Sequence, residues 1–226
     1  MLLFPGLLQN LPQPTLAAVV IAASLSLADI PATRRLWSQR RTDFTLSMAA
    51  FAGVVLLGVL PGILTAITLS VANVFRRAWW PHQATLGTRP GIAGFYDVKR
   101  HPEAEQLPGC TIFRFDAPLI FANARTFRDQ VRALAKASPS PAWIIVAAEP
   151  LTDVDTTACD MLEDLVTALD RLGVTLVFAE MKGPVKEKAH KFGLGTTIPD
   201  DRFFPTLEGA VEAWHAQSGL PPRSQT

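Results

Sequence analysis

The hydrophobic pattern of this chain changes once, and abruptly. Residues 44–75 contain no charged side chain; Arg76, Arg77, Trp79 and Trp80 follow at once. A helix rises about 1.5 Å per residue and the hydrocarbon core of a bilayer is about 30 Å thick, so one span takes about 20 residues. The charge-free block is too long for one upright helix, and Pro61-Gly62 near its middle is a strong local breaker. The pattern predicts two helical arms, 44–60 and 62–75, folded as a hairpin. An earlier apolar stretch, from Thr15 to about Ala32, predicts a further helix opened by Pro12 and Pro14. None of the three has a polar face to meet water. Small residues along the arms, such as Ala49, Gly53, Gly58 and Ala66, favour close backbone approach in lipid.

Beyond residue 80 the pattern becomes that of an aqueous α/β domain. Residues 81–109 hold four prolines and read as a linker, with a short strand near 94–98. Thr111–Phe115 and Leu119–Phe121 read as strands. Asn123 can cap a helix that carries Phe127, Val131 and Leu134 on one face, with Arg125, Arg128, Arg132 and Lys136 on its solvated faces. Trp143–Ala148 and Val174–Ala179 are continuous apolar runs, as expected of strands buried on both faces. Between them, Ala158, Leu162, Leu165, Leu169 and Leu172 share a helical face that Gly173 ends. Gly183-Pro184 opens another helix to about Phe192, and Thr206 caps a last one through Trp214. The fold class expected is a membrane α-helical segment of about three helices followed by an α/β domain. Strand–helix alternation with short loops implies a mixed sheet, partly parallel, with helices mainly on one face.

Composition then qualifies this division. The net charge is +1 and 18% of residues are charged, but the charges are unevenly placed. Before Arg34 the only charge is Asp29; Arg34, Arg35, Arg40, Arg41 and Asp43 complete the set up to residue 75. Positive loops stay inside. The two arginine clusters therefore predict a path with the N-terminus outside and the aqueous domain in the cytoplasm. MLLFPGLLQNLPQP has no basic residue and does not read as a signal peptide. A start outside without a signal leads us to expect further segments upstream. No basic stripe interleaved with aromatics speaks for nucleic acid. Cys110 and Cys159 stand alone in apolar contexts and read as buried reduced thiols. His82, His101, His190 and His215 are scattered without metal-ligand spacing. No catalytic motif is present, so neither an enzyme nor a cofactor or metal is expected. Asp29 reads as an interfacial anchor within reach of Arg34, with a proton relay as the other reading.

One segment stands out for function. Asp153, Asp155, Thr156 and Thr157 lie between a buried strand and a helix N-terminus, where free N–H groups and the helix dipole favour negative charge. Asp155 or Thr156 can cap the helix. A hydroxyl there can also be phosphorylated, adding up to about −2 charge and repelling a docked partner. Both readings stay open.

These residues carry a resemblance. Leu16–Ile21 through Asp29 with Arg34–Trp37 and Arg41–Phe44, then Gly58 through Ser70, look like late membrane helices of the SulP (sulfate permease) family of anion transporters. Arg114–Leu119 with Phe121–Ala124, Thr152–Thr157 and Val177–Met181 resemble its STAS domain. The resemblance implies residues 1–80 as C-terminal transmembrane helices, 81–109 as linker, 110–217 as the STAS domain and 218–226 as a disordered tail. It implies an inner-membrane, multi-pass carrier of sulfate or a similar inorganic anion, a homodimer in the lipid bilayer. The cytoplasmic STAS domain would serve assembly and regulation and could meet a cytoplasmic protein partner. In soluble STAS relatives the residue after the Asp is a phosphorylated Ser; here it is Thr156. The family's anion sits between broken helices of an earlier core, which nothing in these residues matches, so no substrate-binding residue is assigned. The alternative is a membrane-tethered STAS interaction module without transport activity.

Overall fold

The structure is a computed structural model, described for residues 13–26 and 29–219. The chain divides into two units, Met1–Asn73 and Val74–Thr226. Expectations for residues 1–12, for residues 27 and 28 within the first apolar stretch, and for the tail from residue 220 on lie outside the described residues.

The first unit is helical: α1 (Gln13–Ser26), α2 (Ile30–Gln39), α3 (Arg41–Leu57) and most of α4 (Val59–Trp79). Two ranges, Pro14–Gln39 and Val59–Trp79, are long and apolar enough to cross a membrane. The third expected span, α3, falls short: its 17 residues rise only about 26 Å. The segment with Arg34 and Arg35 is not a loop but α2. Asp29 is its N-cap, accepting from Ala32 N at 2.9 Å, with Pro31 inside the first turn. Asp29 is exposed and caps its own helix. Apolar side chains on these helices stay open, Leu56 at 79% and Leu60 at 71%. The unit buries almost none of its apolar surface by itself.

The break in the charge-free block falls at Gly58, not at Pro61-Gly62. Gly58 takes φ +90°, a conformation that an L side chain rarely adopts. Pro61 sits in the first turn of α4, where its missing N–H costs nothing because that N–H has no helical partner. The bend returns Gly62 against Val54, eight residues earlier and about 12 Å away in a straight helix. A Cβ on Gly62 would stand 2.4 Å from the Val54 Cα, so only glycine fits.

The second unit is built on one six-stranded sheet, ordered β2-β1-β3-β4-β5-β6. β1 (Gln83–Arg89) and β2 (Ile92–Asp97) form an antiparallel hairpin, so the sheet begins inside the stretch read as linker. β1 also pairs antiparallel with β3 (Cys110–Phe115). From β3 onward, β4 (Trp143–Ala147), β5 (Thr175–Ala179) and β6 (Phe203–Phe204) run parallel. Every residue of β4 is buried, as its unbroken apolar run demands.

Helices cover the two faces unequally. α5 (Ala124–Ala135), α6 (Thr156–Asp170), α7 (Gly183–Lys191) and the short α8 (Leu194–Thr197) close the larger core. In it Phe127 packs edge-on to Phe115, ring centres 5.3 Å apart. α9 (Leu207–Ser218) alone covers the other face, with Trp214 beside Trp143. Thr206 caps α9 by accepting from Gly209 N at 3.1 Å. Two sequence readings fail here. Leu119–Phe121 is no strand; Leu119 forms one isolated parallel bridge to Val154. Leu172 is 59% exposed because α6 ends at Asp170, and the helical phase that would have buried it stops with the helix.

Candidate functional site

The 152–157 loop follows β4 at the carboxyl edge of the parallel strands. Asp155 is extended (φ −108°, ψ 172°) and is the N-cap of α6; Thr156 is the first helical residue. One Asp155 oxygen accepts from Ala158 N at 2.8 Å, and the other accepts from Phe121 N at 2.7 Å. A single carboxylate thus caps a helix and holds a neighbouring turn. Leu119 N donates to Asp153 O at 2.9 Å, and Asp155 N donates to Leu119 O at 3.3 Å. Loops 116–123 and 151–156 are therefore sewn together along their backbones.

Asp153 accepts from its neighbour Val154 N at 2.8 Å and from Lys188 Nζ of α7 at 2.6 Å. The Lys188 ammonium holds the Asp153 carboxyl below its ordinary value, helped by the backbone donor. A carboxyl with a depressed folded-state pKa adds stability above its unfolded pKa of about 3.9, and loses it as pH falls through the depressed value. We therefore expect the protection of amides in residues 151–157, taken as the intrinsic exchange rate at each pH divided by the observed one, to stay constant from about pH 5 to 8 and to fall only at lower pH. Exchange measured by mass spectrometry across that range checks this.

Thr156 and Thr157 are both exposed. Between the two sequence readings, Asp155 does the capping and Thr156 is free of that duty. A phosphate on Thr156 would gain from the positive end of α6 but would stand close to the Asp155 carboxylate, in like-charge repulsion. Both thiols are buried, and burial pushes Cys110 up to about 12 and Cys159 up to about 11; neither is a thiolate near neutral pH.

Two groups escaped the sequence reading. Asn123 was expected to cap α5 through its side chain, but that side chain turns away from the helix and is 1% exposed. Its Oδ1 accepts from Ile120 N at 3.0 Å, and its Nδ2 donates to Pro118 O at 2.9 Å and Ala78 O at 3.1 Å. Thr126 Oγ1 donates to Trp79 O, also at 3.1 Å. The second group is ionic: Asp116 pairs with His82 Nδ1 at 2.8 Å and with Arg114 Nε at 2.9 Å. Asn123 and Ala78 lie 45 positions apart and His82 and Asp116 lie 34 apart, so neither contact had a sequence signal.

The STAS domain family matches residues 101–210. A probable sulfate transporter of Mycobacterium tuberculosis is 39% identical over 210 residues, covering 92% of this chain and 38% of the relative. The high affinity sulfate transporter 2 of Stylosanthes hamata is 30% identical over 223 residues, covering 95% of this chain and 34% of the relative. The chain thus spans little more than a third of the length of these relatives. The structure of the murine Solute Carrier 26 family member A9 anion transporter in the inward-facing state shares the fold, with TM-score 0.76 and 21% identity over 89% of this chain and 32% of that one. The chain is therefore a STAS-domain protein homologous, over nearly its whole length, to the C-terminal part of the SulP family of sulfate transporters.

Proposed function

We propose that this chain serves inorganic anion transport, with sulfate as the substrate class, as the C-terminal portion of a SulP-type carrier. Residues 1–80 are its last membrane helices and the STAS domain lies on the cytoplasmic side of the cell's inner membrane, in a homodimer. The observation that carries this reading is the extent of the match. Identity to the probable sulfate transporter reaches 92% of the chain, well beyond the 101–210 STAS region and into the apolar helices. A tethered module sharing only its STAS domain with transporters would not need that continuity.

A chimera tests it. The C-terminal part of the Mycobacterium tuberculosis relative is replaced by these 226 residues and reconstituted in liposomes. Labelled sulfate uptake by the chimera, absent with the chain alone, is the expected result. A folded chimera without uptake, from a parent that does transport, would leave the tethered module standing.

The 152–157 loop is the regulatory element in this reading, since Thr156 is exposed and relieved of capping. Thr156→Glu should weaken dimerisation or partner binding about fivefold, the effect of one misplaced charge, while Thr156→Ala should not. Sedimentation of both variants checks this; identical behaviour of the two removes the switch.

A further inference from the structure

The start of α5 is tied to the end of α4. The last carbonyls of a helix lack helical partners. Here two of them are claimed by the STAS domain: Ala78 O by Asn123 Nδ2 and Trp79 O by Thr126 Oγ1. Whatever medium surrounds Trp79 and Trp80, which are 40% and 67% exposed, must also reach the surface around residues 121–126.

That surface has an unusual composition. Phe121 is 60% exposed, although its domain buries nearly all its large apolar side chains; beyond residue 80 only Ile92 and Leu172 are comparably open among the described residues. Its backbone N–H is fixed by Asp155, so the turn presents the ring from a held position. Arg125, in the first turn of α5, is exposed and in no ion pair among the described residues. Arg76 is exposed on the last turn of α4. Two acids of these segments are spoken for: Asp155 accepts two backbone N–H groups, and Asp129 pairs with Arg128. Open aromatic rings and exposed guanidinium groups on two tied segments match the headgroup layer of an anionic bilayer, where rings lie at the interface and cations meet phosphates.

We propose that Phe121 and Arg125, together with Trp79, Trp80 and Arg76, form a lipid-docking surface on the STAS domain that seats it on anionic headgroups. The inference rests on the reading that α4 crosses the membrane.

The test uses the full chain in vesicles of phosphatidylcholine with or without phosphatidylglycerol. A polarity-sensitive fluorophore is placed on Phe121→Cys, on Trp80→Cys or on Leu172→Cys. The native thiols do not compete, being buried and protonated near neutral pH. Brominated lipid should quench the probe at 121 and at 80 and spare the one at 172. Phosphatidylglycerol should strengthen quenching at 121, and Arg125→Gln should weaken that added part about fivefold. Quenching at 80 but not at 121 overturns the docking surface and leaves the membrane reading intact. Quenching at neither overturns both. Quenching at 121 that ignores phosphatidylglycerol and Arg125→Gln overturns the anionic-headgroup assignment. Protection of 121 from lipid and water quenchers alike assigns the surface to a protein partner and sinks the proposal.

Discussion

Replacing Asn123 by alanine is expected to lower the stability of the STAS domain by about 3–4 kcal/mol. The side chain is buried and serves three backbone groups: Ile120 N–H, Pro118 C=O and Ala78 C=O. A buried polar group left without its partner costs about 1–3 kcal/mol. Three such losses exceed what one core methyl group could cause, and the cavity gives water only partial access. For a domain of roughly 150 residues, about 2–4 °C are lost per kcal/mol, so the melting midpoint should fall by about 10 °C. Asn123→Asp keeps the acceptor for Ile120 N–H but removes both donors, and should be nearly as harmful. Thr126→Val removes only the bond to Trp79 O and should cost about 1 kcal/mol. Thermal melts of the full chain in detergent give the ranking. Amide exchange at residues 76–80 locates the damage: it should quicken in Asn123→Ala and Thr126→Val. A midpoint within a degree of the parent for Asn123→Ala would show that these bonds carry no net weight.

Gly62→Leu should be the most damaging change among the apolar helices. A Cβ at this place would meet the Val54 backbone at 2.4 Å from Cα and 2.5 Å from N, and a backbone cannot rotate away as a side chain can. The bend after Gly58 must open, at a cost of about 3 kcal/mol or more. Gly58→Ala meets empty space but is held at φ +90°, so only its backbone strain is charged, about 1 kcal/mol. Pro61→Ala should be nearly silent, because Pro61 occupies a first-turn position. Size-exclusion profiles of the three variants in detergent measure the folded, monodisperse fraction. The order expected is Gly62→Leu well below Gly58→Ala, with Pro61→Ala near the parent. A broken Pro61→Ala variant would return the turn to Pro61-Gly62.

Much of the STAS architecture was readable from the chain because its signals are local. Trp143–Ala147 and Thr175–Ala179 are apolar runs of strand length, and only a strand buried on both faces is so uniformly apolar. Phe127 and Val131 repeat at helical spacing and lie at 0% exposure. The cap at Asp155, one of the two candidates the sequence offered with Thr156, was legible because capping is set by a residue's own neighbours. A short strand near 94–98 was expected where β2 lies, but β1 was missed, because Pro81 and Pro90 flank a strand that gains its stability only by pairing with β2 and β3.

The sequence by itself determined the division of the chain: a charge-free stretch ends at Arg76, and a mixed polar and apolar pattern follows. It also determined the succession of β3, β4 and β5 with the helices between them, and a helix start at Asp155 or Thr156. Only the tertiary structure decided what crosses between distant segments. It turned Asn123 from an expected cap into a buried clasp on Ala78, and made Asp155 hold Phe121 as well as its own helix. It moved the membrane bend from Pro61-Gly62 to Gly58 and gave Gly62 its reason for being glycine. The physical cause is the same in each case. Periodicity and propensity act over a few residues along the chain, whereas a buried hydrogen bond or a backbone contact depends on which remote atoms arrive at the same place.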